Sequence, residues 1–314
     1  MLHHHITRVS LWLTMACALL LTGCSSNRPF YAPASETFRT TADYRHPYQD
    51  LWLASGSGNL MHVQRHFTNA GHSQGVVLHF HGNRGNLSDT IVKVEWLLDE
   101  GYDLVVFDYS GYGNSSGTPT PATTFEDART LLDWFNRLPR QDADYRKVVI
   151  GESLGGAILV SGLAAPLAPL DLDLVVVDSS FHSYVALARS VAADHLLGWT
   201  ISWAAPLVIS DDYAAGPRMA QLPAAPLLIS HCDSDSLIPH SFSEQLFQAA
   251  RGNKVMWSLP GCAHARGFGN EYPLNQQLLL TVIDQPSRLT AEYDYAAALA
   301  LVNNQSLLLS HAGR

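Results

Sequence analysis

Lysine is almost missing from this chain of 314 residues: only Lys93, Lys147 and Lys254 occur, and the formal net charge is −9. Without a basic stripe there is nothing for a phosphate backbone to follow, so nucleic acid is excluded as a partner. The acidic balance bears on solubility more than on any one ligand. The apolar run from Leu11 to Leu21 is too short to span a bilayer comfortably. Cysteine is scarce, with Cys17, Cys24, Cys232 and Cys262 only. No internal repeat, metal-ligand cluster or phosphate loop is evident. The glycine-rich stretch 109–117 lacks the G-x-G-x-x-G spacing that a dinucleotide needs. No cofactor and no metal are therefore expected. The length suits one large α/β domain with a substantial core.

Arg8 gives the chain a positive start, and the apolar run ends in Leu21-Thr22-Gly23-Cys24-Ser25-Ser26. This resembles the lipobox of bacterial lipoproteins, which implies that residues 1–23 are a signal peptide and that Cys24 becomes a lipidated N-terminus. An ordinary cleaved signal and an uncleaved anchor are the alternatives. Several acyl chains hold a protein on a membrane far more firmly than one. Ser25, rather than an aspartate, resembles the sorting signal for the outer membrane, so the body is expected to face the periplasm of a bacterial envelope. Residues 24–47 are rich in Ser, Thr, Pro and Ala and read as a tether, with residues 48–314 as the domain.

The stretch 146–165 organises that domain. Val148, Val149 and Ile150 form a β-branched run, as in a strand buried on both faces. Small apolar residues from Ala157 onward read as a buried helix. Between them Gly151-Glu152-Ser153-Leu154-Gly155 matches the nucleophile elbow G-x-S-x-G, in which a sharp strand-to-helix turn exposes the serine hydroxyl. An incidental serine in a glycine-rich turn is the bland alternative.

Residues 50–54 and 59–67 read as an antiparallel pair, and strands are expected at 76–80, 104–108, 174–177, 227–230 and 254–259. A helical pattern follows His79-Phe80-His81-Gly82-Asn83-Arg84-Gly85-Asn86 and runs through Leu98. Residues 123–138 read as a helix with Thr123 or Thr124 as N-cap, and helices are expected at 241–250 and 273–284. Residues 182–222, holding Leu196, Leu197, Trp199 and Trp203, read as a small helical cap. A tail helix spans 291–309, with its packing unassigned. This order predicts a mostly parallel sheet covered on both faces, with the active site outside the carboxyl ends of its strands.

The His-Gly-Asn loop, the loop Asp108-Tyr109-Ser110-Gly111-Tyr112-Gly113 and the elbow, in that order, resemble the α/β-hydrolases. The pattern is most similar to a branch of compact serine hydrolases with small caps, often labelled alpha/beta hydrolase or S9-like. The resemblance covers most of residues 50–284 and implies chain order Ser, acid, His. It selects Asp235, three residues before Ile238-Pro239, as the acid, with Asp233 and Asp178 as alternatives. His264 is the expected base; His240 and His311 also lie downstream. His79 and His81 are read as supports for their loop. The backbone amides of Asn83 and Leu154 are the expected oxyanion donors.

Relatives usually carry glycine where this chain has Cys232, and Cys262 lies two residues before His264. A disulfide between them would tie the acid loop to the histidine loop; two buried thiols are the alternative. The implied activity is hydrolysis of a small acyl-containing substrate, a carboxylic ester or thioester. A peptidase or amidase comes second and a non-catalytic envelope scaffold third. Trp199 and Trp203 either line an acyl pocket or pack in the core. Oligomeric state is open.

Overall fold

The computed structural model describes residues 27–193, 202–290 and 292–312, with side chains described as far as residue 303. Residues 1–23, read above as a signal peptide, and Cys24, Leu196, Leu197, Trp199 and the side chain of His311 lie outside the described residues.

Eight strands form one sheet: β1 (Tyr48–Ala54), β2 (Leu60–His66), β3 (Gly75–Phe80), β4 (Tyr102–Phe107), β5 (Arg146–Glu152), β6 (Leu174–Asp178), β7 (Leu227–Cys232) and β8 (Lys254–Leu259). Their spatial order is β8-β7-β6-β5-β3-β4-β2-β1. β1 pairs antiparallel with β2, and β2 with β4; every other pairing is parallel. The longer helices are α1 (Pro121–Asn136), α2 (Leu154–Leu163), α3 (Tyr184–Ala193), α4 (Ser241–Ala249), α5 (Pro273–Asp284) and α6 (Tyr295–Ala312).

The period-two alternation of a strand explains why β-branched runs serve here. Val76, Leu78 and Phe80 of β3 and Val149 of β5 join the layer of α1, α2 and α4. Val77, Val148 and Ile150 join the opposite layer with residues 87–98 and α5. Both faces are thereby covered, and this is the α/β-hydrolase architecture.

Three local readings need correction. The cap of α1 is Thr120 rather than Thr123 or Thr124, because Pro121 occupies the first helical position and Thr123 closes a capping box with Thr120. The helical pattern up to Leu98 is two single turns, Leu87–Thr90 and Trp96–Asp99, joined by a 3-10 turn at Ile91–Lys93. Residues 27–47 do not hang free as a tether. Ala32–Pro33 pairs in parallel with Arg84–Gly85, and Asn86 donates to the carbonyls of Ala34 and Glu36. Phe30 packs edge-on to Tyr184 at 5.0 Å, and Tyr31 is buried. Burying an aromatic ring contributes roughly 1.5–3 kcal/mol, enough to hold such a segment down. Within residues 182–222, read above as a cap, helix is found in α3, in short turns at Ser202–Ala204 and Ala205–Val208 and in a 3-10 turn at Gly216–Gln221, while residues 209–215 are irregular.

Candidate active site

β5 ends at Glu152 and α2 begins at Leu154, which leaves Ser153 alone in the turn at φ 53° and ψ −122°. A non-glycine residue held there costs about 1–3 kcal/mol. Two bonds fix it: the Ser153 amide donates to the Asp178 carbonyl at 2.9 Å, and Ser180 Oγ donates to the Ser153 carbonyl at 2.8 Å. A Cβ on Gly155 would stand 2.1 Å from the carbonyl oxygen of Phe80, and one on Gly151 2.8 Å from the Cα of Gly156. Both motif glycines are therefore demanded by the close approach of helix and sheet.

The loop after β7 and the loop after β8 bring Asp235 and His264 to the same strand ends. His264 Nε2 lies 2.8 Å from Ser153 Oγ, and Nδ1 lies 2.6 Å from Asp235 Oδ2. The other Asp235 oxygen accepts from the amides of Leu237 and Ile238 at 2.8 and 2.9 Å. Burial by itself would raise the Asp235 carboxyl. Hydrogen bonds from His231, His264 and the Ile238 amide outweigh it and hold the group well below the usual carboxylate range. An ionised Asp235 can only accept, so the proton of neutral His264 sits on Nδ1 and leaves Nε2 free to receive the serine hydroxyl proton.

His231, unnoticed in the sequence, packs against the Asp235 carboxylate. Its Nε2 is 2.9 Å from the Ile238 carbonyl and 3.3 Å from Asp235 Oδ2, and its Nδ1 faces Ser243 Oγ at 2.7 Å. Asp233 and Asp178 are elsewhere engaged. Asp233 accepts from the Gly261 amide at 2.8 Å on the exposed side of the loop. Asp178 accepts from Ser230 Oγ at 2.7 Å. His240 lies against Ser258 and Glu244, away from Ser153.

Burial pushes the Asp178 carboxyl up to about 6, the Ser230 hydroxyl opposes the rise and Glu152 adds to it. A carboxyl whose folded pKa is raised stabilises the fold fully below its unfolded value, near 4, and that contribution is lost as pH rises through about 6. Asp178→Asn keeps an acceptor for Ser230. It is expected to raise the unfolding free energy by on the order of 2 kcal/mol at about pH 8 and to change little at about pH 4. Urea unfolding midpoints at the two pH values check this, and an equal change at both would contradict it.

The His79–Asn83 loop packs beside the elbow. His81 is sandwiched near Tyr109 and Tyr112, its Nδ1 2.8 Å from the Gly82 carbonyl, and burial lowers its pKa to about 4, so it stays neutral. Ala32 and Tyr112 donate to the Asn83 carbonyl at 2.9 and 2.8 Å. The Gly82 amide donates to Glu152 Oε1 at 3.2 Å, and Lys93 Nζ reaches the same oxygen at 2.7 Å. Burial would raise the Glu152 carboxyl; Lys93 and His79 hold it well below the ordinary range instead. A charged residue at the end of a buried apolar strand, directly before Ser153, was the sequence signal for this pair.

A cavity of about 430 Å³ opens over Ser153 and is lined by Asn83 and Leu154 together with Phe30, Phe181, Leu187 and Leu237. Its walls are mostly apolar. Phe30 comes from the segment read as a tether, and aromatic residues at 30 and 31 inside a Ser/Pro-rich stretch were the available hint. Trp203 neither lines this cavity nor packs in the core; it is 68% exposed. Among the described residues no group of three or more His, Cys, Asp or Glu could hold a metal ion.

Cys232, the last residue of β7, is bonded to Cys262 in the loop after β8. Asp235 and His264 follow these cysteines by three and two residues, so the bridge ties together the two loops that must meet. Closing a loop of 30 residues restricts the unfolded chain by about 3–4 kcal/mol. Reduction, or the pair Cys232→Ala and Cys262→Ala, is expected to lower the unfolding free energy by about that amount. Urea unfolding with and without dithiothreitol measures it; superimposable curves would contradict the assignment.

Residues 76–276, the span from β3 into α5, match the family model described as the Alpha/beta hydrolase family. Among curated proteins, the uncharacterized protein YfhR of Salmonella typhi is 27% identical over 274 residues, covering 83% of this chain and 88% of YfhR. The lysophosphatidylserine lipase ABHD12 of Macaca fascicularis is 28% identical over 187 residues, covering 57% of this chain and 46% of that protein. Among solved structures, the Pyrococcus furiosus esterase Pf2001 superimposes with a TM-score of 0.60 at 18% identity, over 82% of this chain and 99% of the esterase. At that identity the likeness speaks to the fold alone. The family match takes in the elbow, the acid loop and the histidine loop on one sheet, and by it this chain belongs to the alpha/beta hydrolase family.

Proposed function

We propose that the chain is a serine hydrolase that cleaves carboxylic esters or thioesters through an acyl-enzyme intermediate. The observation that carries the reading is the unbroken relay from Ser153 Oγ to His264 at 2.8 Å and from His264 to Asp235 at 2.6 Å. His264 Nε2 takes the hydroxyl proton as Ser153 Oγ bonds to the acyl carbon, and the Asp235 carboxylate stabilises the imidazolium that forms. The carbonyl oxygen, now negative, would be received by the backbone amides of Leu154 and Asn83 at the cavity wall; removing one such donor typically costs ~3–4 kcal/mol. The imidazolium then gives its proton to the departing alcohol or thiol. Water, deprotonated by His264 in turn, attacks the acyl carbon and releases the acid and Ser153.

The apolar cavity favours an acyl chain over a peptide, and the names esterase and lipase borne by Pf2001 and ABHD12 agree with that choice. The same machinery cleaves amides, as the S9-like resemblance implies. Matched p-nitrophenyl esters and p-nitroanilides of one acyl group separate the readings. Ester turnover should exceed anilide turnover; the reverse order would assign the site to a peptidase or amidase.

The lipobox-like sequence at Cys24 supports a second part of the proposal: a lipid anchor, with the domain held at the periplasmic face of the outer membrane. Mass measurement of the mature N-terminal peptide tests the anchor directly.

A further inference from the structure

Several large apolar side chains stand in the open at one end of the molecule. Trp203 is 68% exposed, Leu207 58%, Val208 49%, Leu237 51% and Val191 39%. Val191 and Leu237 also line the cavity over Ser153, so they mark its mouth, and Val208 directly precedes Ile209, another lining residue. Between Arg189 and Asp211 the sequence has a single formally charged residue, Asp194. A soluble surface rarely carries so continuous an apolar patch unless something covers it.

The start of the described chain is fastened beside that patch. Asn27 Nδ2 donates to the Ser210 carbonyl at 2.9 Å, and the Ser210 amide donates to Asn27 Oδ1 at 3.0 Å. Cys24 precedes Asn27 by three residues, and so short a stretch reaches at most about 11 Å. Any lipid on Cys24 therefore enters its membrane close to the apolar rim, and Pro29 and Phe30, in the wall of the cavity, follow at once.

We propose that the cap face bearing Trp203, Leu207 and Val208 seats on the bilayer that holds the Cys24 anchor, so that the cavity over Ser153 opens onto the membrane and receives acyl lipids resident in it. The proposal rests on the hydrolase and anchor readings given above. It deepens them by naming the surface and the substrate's source.

The test uses the mature, lipidated protein in vesicles of phosphatidylethanolamine with a minority of phosphatidylglycerol, their acyl chains brominated or plain. Bromine quenches only tryptophans that enter the acyl region. Brominated vesicles should remove a component of the emission in the wild type that Trp203→Phe lacks. Equal quenching of both, or a dimer in which Trp203 is shielded, would overturn the proposal. In parallel, the double variant Leu207→Ser, Val208→Ser should lose about tenfold in turnover of a long-chain ester embedded in the vesicle, as one large apolar contact's loss implies. Its turnover of a water-soluble short ester should be unchanged. Unchanged turnover of both overturns the docking surface. If the wild type hydrolyses neither ester, the hydrolase reading has failed, and the quenching still decides the docking. A mature Cys24 without lipid removes the anchor and with it this proposal.

Discussion

Ser153→Ala is expected to lower kcat on short acyl esters by about 10⁶-fold, the loss typical of removing the nucleophile from a serine–histidine–acid unit. Binding should change little, because the hydroxyl contributes almost nothing to the walls of the cavity. The residual rate, about 10³–10⁴ over water, would come from the backbone donors and from binding alone. His264→Ala should fall to about the same level, and the double variant should fall no further, if the two side chains, 2.8 Å apart, act as one relay as proposed. Additive losses would mean that the hydroxyl and the imidazole do not work together.

Asp235→Asn should cost about 10⁴-fold in kcat with the fold intact. The geometry explains why. One oxygen of Asp235 accepts from the amides of Leu237 and Ile238, so the asparagine oxygen keeps that place and the new NH₂ group is turned to His264 Nδ1. A donor there forces Nδ1 to accept, which moves the ring proton to Nε2. The imidazole then presents a hydrogen to Ser153 where a lone pair is needed. The loss should ease at high pH, where hydroxide competes for the proton. A loss of only a few fold, with the same pH profile as the wild type, would remove Asp235 from the relay. By the same geometry Asp233→Asn should leave turnover close to the wild-type value, because that carboxylate serves the Gly261 amide and not the imidazole.

Much of this was legible in the residues because a buried parallel sheet writes itself as β-branched runs, and its strands end where the function-bearing loops begin. β8 and α5 fall on the residues expected of them, Lys254–Leu259 and Pro273–Asp284. Asp235 and His264 could be chosen only through the resemblance. Neither spacing nor composition joins two residues that lie 29 positions apart, the second of them 111 positions beyond the serine.

What stayed hidden depends on contacts that no local pattern encodes. Ala32–Pro33 is too short to read as a strand, yet it finds Arg84–Gly85 because the chain folds back across the His79–Asn83 loop. Lys93 lies in a segment read as one helix, and it reaches Glu152 from the 3-10 turn between two single helical turns. His231 reads as one more residue of a buried strand; its place against Asp235 follows from the tight turn that β7 makes after Cys232.

The central claim is that Ser153 becomes covalently modified by the substrate's acyl group or by an analogue of it. The full chain should be treated with a fluorophosphonate, digested and mapped by mass spectrometry. A single phosphonate adduct on the peptide carrying Ser153, lost in Ser153→Ala and slowed strongly in Asp235→Asn, is the expected result. An unmodified Ser153 in protein that still turns over esters, or an adduct on another residue, would contradict the account.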